Sequence, residues 1–136
     1  MSLIVVLSII FIHWVADFIF QAEEWANNKS NSNSYLFTHV LTYTIIWGFL
    51  GSFLFTNPCG SSLIGCVEID KLGVFLGVTF VAHFITDYIT SRIVKKRFED
   101  KYYGSPIPNF GAFTIIGFDQ VLHYAQLFLT YYLLTK

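Results

Sequence analysis

Charge is scarce in this chain. Of its 136 residues only 12% are Asp, Glu, Lys or Arg, about half of what a soluble domain carries. Eight basic and nine acidic residues leave a net charge of −1, so no bulk attraction to polyanions exists and nucleic acid is excluded as a partner. Cysteine is nearly missing as well. Cys59 and Cys66 are the two present, which argues against thiolate metal sites or cysteine nucleophiles elsewhere. The three prolines, Pro58, Pro106 and Pro108, all fall in polar connections. A Gly-rich phosphate loop, a zinc-ribbon spacing and a nucleophilic Ser/His/Asp order are all absent. What is abundant is apolar surface: 54% of residues are hydrophobic and 19% aromatic, more than so short a chain can hide in a globule, and a lipid environment absorbs the excess.

Four hydrophobic blocks, residues 2–21, 35–55, 72–94 and 111–135, are each long enough to cross a bilayer of about 30 Å. The expected fold is therefore all-α, a single domain over residues 1–136 built as a four-helix transmembrane bundle. The first connection, 22–34, runs Asn27-Asn28-Lys29-Ser30-Asn31-Ser32-Asn33-Ser34 and is expected to form turns, not helix. The second, 56–71, holds Pro58, Gly60, Gly65 and both cysteines. The third, 95–110, opens on Lys95-Lys96-Arg97, closes on Pro106 and Pro108, and is expected to be a charged loop. The first block lacks a basic leader and a small-residue cleavage site, so it is expected to be retained and not removed as a signal peptide.

Arg92, Lys95, Lys96, Arg97 and Lys101 gather at the third connection, which places it on the cytoplasmic side of a plasma membrane. Four spans then put both termini and the second connection outside. There an oxidising compartment permits a disulfide between Cys59 and Cys66; two unpaired thiols are the other reading, and the sequence leaves both open. Aromatics near the span ends, Trp25, Tyr35, Tyr102 and Tyr103, read as an interfacial belt. Gly73 and Gly77 form a small-residue face suited to close helix packing.

All four histidines and three of the nine acids lie inside the blocks: His13 and Asp17, His39, His83 and Asp87, Asp119 and His123. One Asp at the centre of a membrane helix costs about 2.5 to 3.5 kcal/mol on insertion scales, so three demand compensation. Each His and Asp pair is four residues apart, one turn along one helix face. The order is His then Asp in the first and third blocks and reverses in the fourth, where the chain runs the other way. The spacing therefore predicts an aspartate layer of Asp17, Asp87 and Asp119 nearer the cytoplasm. A histidine layer of His13, His83 and His123 lies one turn deeper, with His39 in the same half of the membrane.

Imidazole and carboxylate are the ligand set of zinc, iron and manganese, and four-helix bundles build such sites from inward-facing side chains. A divalent cation would offset the buried negative charge. The expected ligands are His13, His39, His83, His123, Asp17, Asp87 and Asp119; in another arrangement each Asp instead holds a ligating His by its free N–H. A proton or ion pathway and a purely structural network are the competing readings. Gln21, Tyr43 and Gln120 are expected to support the ligands. Gln126 and Ser91 also fall beside the set, and Ser91 is read as a cap or filler.

The runs His13-Trp14-Val15-Ala16-Asp17-Phe18-Ile19-Phe20-Gln21, His39 with Tyr43, His83-Phe84-Ile85-Thr86-Asp87-Tyr88 and Phe118-Asp119-Gln120-Val121-Leu122-His123 resemble the small bacterial and phage membrane proteins catalogued as domain of unknown function 3307. The resemblance spans nearly the whole chain. It implies a bacterial inner or plasma membrane location and strengthens the choice of residues, while naming no reaction. The cysteine-containing connection has no counterpart in the family pattern.

Two kinds of function fit. One is a metal-dependent hydrolase in the membrane, using a metal-bound water, with Asp17, Asp87 or Asp119 as general base and Arg92 and the Lys95 cluster near a phosphate-bearing or lipid-like substrate. The bland role of that cluster is the orientation signal alone. The other is an ion or proton carrier, or a non-catalytic membrane partner with a structural metal, as a monomer or a homo-oligomer. The outer halves, 3–12 and 128–134, offer little to line a transport route.

Overall fold

The computed structural model describes residues 1–58, 65–100 and 110–136. Four long helices dominate: α1 (Leu3–Trp14), α3 (Asn33–Leu50), α4 (Ile69–Asp100) and α5 (Phe110–Thr135). A short helix, α2 (Glu23–Asn28), lies between α1 and α3. α1 packs on α3 and α5, and α4 packs on the same two, so the long helices close a ring around a shared interior. The fold is thus all-helical, apart from a hairpin of two-residue strands, β1 (Thr56–Asn57) and β2 (Cys66–Val67).

Local chemistry sets the ends of these elements. Ser2 caps α1, its hydroxyl accepting the Val5 N–H at 3.3 Å, which satisfies one of the free donors of the first turn. Gly51 ends α3 because nothing larger fits: a Cβ there would stand 2.6 Å from the Trp47 carbonyl. A 3-10 turn, Ser52–Phe55, then leads into the hairpin, where Gly65 supplies the positive φ of 71°.

Several elements differ from the sequence expectation. The first connection is not all turn, since Glu23–Asn28 is helical, its acidic first turn favourable against the helix dipole. α4 begins at Ile69 and runs through Lys95-Lys96-Arg97 to Asp100, so the basic cluster is helical instead of loop. Charge does not stop a helix. Only Gly or Pro does so strongly, and neither occurs between Tyr88 and Asp100, while Lys95 pairs with Glu99 one turn on. Gly73 and Gly77 would meet nothing within 4 Å if given a Cβ, so among the described residues no helix packs on that face. Cys66 is disulfide-bonded. Cys59 lies outside the described residues, as do Lys101, Tyr102, Tyr103, Pro106 and Pro108.

The interior has two unlike ends. At one, Trp47, Phe55, Phe75 and Tyr131 form an aromatic plug with ring centroids 5.2 to 5.4 Å apart. At the other, the buried positions turn ionic. The inward face of α4 reads Phe75, Thr79, His83, Asp87, Thr90, a stripe at helical spacing that passes from apolar to charged along one helix. The outward faces carry Leu3, Ile4, Phe11, Phe49, Val81, Ile85, Phe113, Leu129 and Leu133, all exposed. Among the described residues α4 alone is long and apolar enough to cross a membrane, with a mean hydropathy of 1.6 over its best window; the apolar Leu3–Ile19 is shorter.

Candidate metal centre

Each long helix contributes to the ionic end. α1 brings His13 and leads into a π-helical turn, Val15–Ile19, that holds Asp17; α3 brings His39, α4 His83 and Asp87, and α5 Asp119 and His123. All seven side chains are buried. The π turn is the wider winding often found at functional sites, and it alters the simple i, i+4 register expected for the first pair.

The shortest contacts run between helices, not along them. His13 and Asp17 are 3.8 Å apart, and the pairs His83 with Asp87 and Asp119 with His123 are each at 3.6 Å. His39 Nε2, by contrast, is 3.2 Å from Asp17 Oδ1, 3.3 Å from Asp87 Oδ2 and 3.2 Å from His83 Nε2. His123 Nε2 is 3.4 Å from Asp87 Oδ1. The closest contacts bridge helices, while the i, i+4 pairs His83 with Asp87 and His13 with Asp17 each still belong to a group of converging donors. Donors from four helices converge, with His39 at the centre of the set.

Asp17 Oδ1, His39 Nε2 and His83 Nε2 form a closed triangle with edges of 3.2, 3.2 and 3.6 Å. Donors bound to one ion at ~2.1 Å in tetrahedral array stand ~3.4 Å from each other, so the triangle has the dimensions of a two-histidine, one-carboxylate metal site. Two further groups of converging donors are His83, Asp87 and His123, and His13, Asp17 and His123. Several of these atoms have no hydrogen-bond partner: Asp17 Oδ1, His83 Nδ1, and both ring nitrogens of His123. A buried imidazole with neither nitrogen satisfied is costly, and a cation bound at Nε2 would remove the deficit there. The donor set fits a divalent first-row ion.

The expected residues do not all stand alike. His13 is satisfied without a metal: the Tyr43 hydroxyl sits 2.7 Å from Nδ1, and Gln120 Oε1 lies 2.8 Å from Nε2, which together suit one neutral tautomer. Asp119 belongs to none of the three donor groups. Its Oδ1 accepts from Thr90 Oγ1 at 2.6 Å and its Oδ2 from Gln120 Nε2 at 3.2 Å. Gln120 also donates to Asp17 Oδ2 at 3.2 Å, so one amide ties α5 to His13 of α1 and to Asp17 of the π turn. Gln21 Oε1 is buried and unpartnered. Removing the phenol hydroxyl by Tyr43→Phe is expected to destabilise the protein by about 1 kcal/mol. Thermal unfolding would measure it, and an unchanged midpoint would deny the Tyr43 to His13 contact a part in the fold.

Sequence reasoning missed Lys29, Thr79 and Thr90. Lys29 Nζ lies 2.6 Å from Asp87 Oδ2. Burial disfavours its ammonium, but Asp87 and Asp17 outweigh burial and hold the Lys29 pKa above the ordinary lysine value. The neighbouring turn is fastened to α4 as well, Lys95 donating to Asn31 and Arg92 to Asn33. Lys29 was detectable as the one basic residue of the first connection, close in sequence to an Asp needing a countercharge. Thr79 accepts from Gln126 Nε2 at 3.2 Å, on the plug side of the histidines.

A cavity of about 450 Å³ opens beside the cluster, lined by the carboxylates of Asp17, Asp87, Asp119 and Glu99 together with Lys29, Ser91 and Lys95. No histidine lines it. Phe18, Val94, Phe98 and Ile116 give it an apolar margin.

No curated protein and no solved structure matches the chain. A family model described as "Protein of unknown function (DUF3307)" matches residues 5–136, and the chain belongs to that family.

Proposed function

We propose that this is a multi-pass membrane protein whose four long helices form a transmembrane bundle, and that it is a metal-dependent hydrolase acting on a phosphate-bearing, lipid-like substrate. The membrane setting is supported by the many Leu, Ile, Val and Phe side chains exposed on the outward helix faces, while all four histidines and Asp17, Asp87 and Asp119 are buried. Arg92, Lys95, Lys96 and Arg97 stand toward the end of α4 and Lys95 lines the cavity, so the positive-inside rule turns the cavity toward the cytoplasm.

The triangle of Asp17 Oδ1, His39 Nε2 and His83 Nε2 carries the reading. Zinc, iron or manganese held there would act as a Lewis acid and lower the pKa of a coordinated water. Asp119 stands outside the donor groups yet on the cavity wall, which suits it to take a proton at Oδ2 as general base. Thr90 and Gln120 fix its carboxylate for that role. Lys29 and Lys95 supply positive charge for a substrate anion, and the apolar margin suits an acyl chain. An ion or proton carrier is the weaker alternative, because the aromatic plug closes the far end of the interior.

The test is elemental analysis of purified protein together with phosphate release from phosphatidate in mixed micelles. One bound divalent ion and chelator-sensitive turnover are expected, with Asp119→Asn cutting turnover by about 10² to 10⁴ at full metal content. Metal-free wild type would sink the metal centre. A full metal complement without turnover on phosphate esters or lipid esters would remove the enzyme and leave the metal.

A further inference from the structure

We infer that the cavity is a phosphate-binding site that exists only when the metal centre is loaded, because Lys29 serves as the resident cation of the empty centre and is released to the cavity when a divalent ion arrives. This rests on the metal reading above.

Lys29 Nζ holds Asp87 Oδ2 at 2.6 Å, and that same oxygen is 3.3 Å from His39 Nε2, a corner of the donor triangle. A divalent ion bound by His39 would sit within reach of the oxygen that Lys29 grips. Two cations competing for one carboxylate at such distances repel strongly where water is excluded, so loading the ion displaces the ammonium. Lys29 comes from the turn between α2 and α3 and lines the cavity, so the freed ammonium has that space to enter.

The change of sign matters for a ligand. The lining holds four carboxylates, Asp17, Asp87, Asp119 and Glu99, against the ammoniums of Lys29 and Lys95, and repels anions. A divalent ion cancels that excess of negative charge and takes Asp87 from the ammonium. Ser91 adds an independent sign: the residue lines the cavity, and its Oγ is buried without a hydrogen-bond partner. Lys95 lines the same space. An ammonium and a hydroxyl around a space of this size suit a phosphate group, which accepts from both. The source is a lipid headgroup or a free phosphate, and the chemistry is common to the two.

The experiment uses the full chain in nanodiscs of phosphatidylcholine, with zinc as the metal probe and inorganic phosphate as the anion probe. Phosphate affinity, read by calorimetry, is expected to rise at least tenfold on adding one equivalent of zinc, and Lys29→Met is expected to bind zinc undiminished while losing that gain. Wild-type Lys29 gives a second readout that needs no variant: its amine is expected to be shielded from an acylating reagent without zinc, reactive with zinc, and shielded again with zinc and phosphate. In nanodiscs containing phosphatidate, renewed shielding without added phosphate identifies the headgroup as the source; shielding only with added phosphate identifies the free anion. Zinc binding with unchanged Lys29 reactivity, or with phosphate affinity independent of zinc, would overturn this inference alone. A wild type that binds no zinc would overturn the metal reading beneath it.

Discussion

Protein carrying His83→Ala is expected to emerge from purification without zinc, iron or manganese, while Asp119→Ala retains the wild-type complement. The contrast follows from geometry. His83 Nε2 completes the triangle with Asp17 Oδ1 and His39 Nε2, and its residue also belongs to the group with Asp87 and His123. Removing it takes a donor from both at once. Loss of a supporting residue outside the ligand set costs roughly 10- to 100-fold in metal affinity, and loss of a shared donor should exceed that. Asp119 belongs to no donor group, and its oxygens are already taken by Thr90 and Gln120. Elemental analysis with a chelator competition reads both variants. If Asp119→Ala also lost its metal, the ligand set would have to be redrawn around α5. If His83→Ala kept it, the triangle would not be the site.

The residues of this centre were legible because they violate their surroundings. Four imidazoles and three carboxylates in otherwise apolar blocks cost too much to be incidental, and a period of four places each pair on one helix face. That argument selects residues on single helices and is blind to partners on others. It therefore gave His83 and Asp87 as a pair, where Asp87 stands closer to His39 and His123 across the bundle, and Asp17 closer to His39. It also treated Asp119 as equivalent to Asp17, although the hydroxyl of Thr90 and the amide of Gln120 engage one and the π turn presents the other. Backbone winding of that kind leaves no periodic trace in composition. Lys29 was hidden by its context: a run of Asn and Ser reads as a turn, and nothing local says that the turn folds back onto α4. The extension of α4 through its basic cluster is hidden for the opposite reason: a charged run resembles a loop, yet helix propensity continues unbroken to Asp100.

Asp87→Asn is expected to destabilise the protein by about 3 to 5 kcal/mol, the range for breaking a buried ion pair from one side. Asp87 is the only carboxylate that Lys29 touches at hydrogen-bond distance among the described contacts, and it also faces His39, His83 and His123 at 3.3 to 3.6 Å. The isosteric amide keeps the volume and removes the charge, so the loss is electrostatic and not a cavity effect. It also turns an N–H toward donors that need an acceptor. The reverse substitution, Lys29→Met, should cost less, because Asp87 keeps its imidazole neighbours. The two changes should not add: in the Lys29→Met background Asp87→Asn no longer strands a buried ammonium, and its cost is expected to fall by at least ~1 kcal/mol, a coupling typical of residues in direct contact. Unfolding of the metal-free protein in detergent, with all four members of the cycle measured by the same probe, reads the difference. Additive losses would mean that the 2.6 Å contact contributes nothing to the fold, and the buried carboxylate would then have to be balanced by protonated histidine instead.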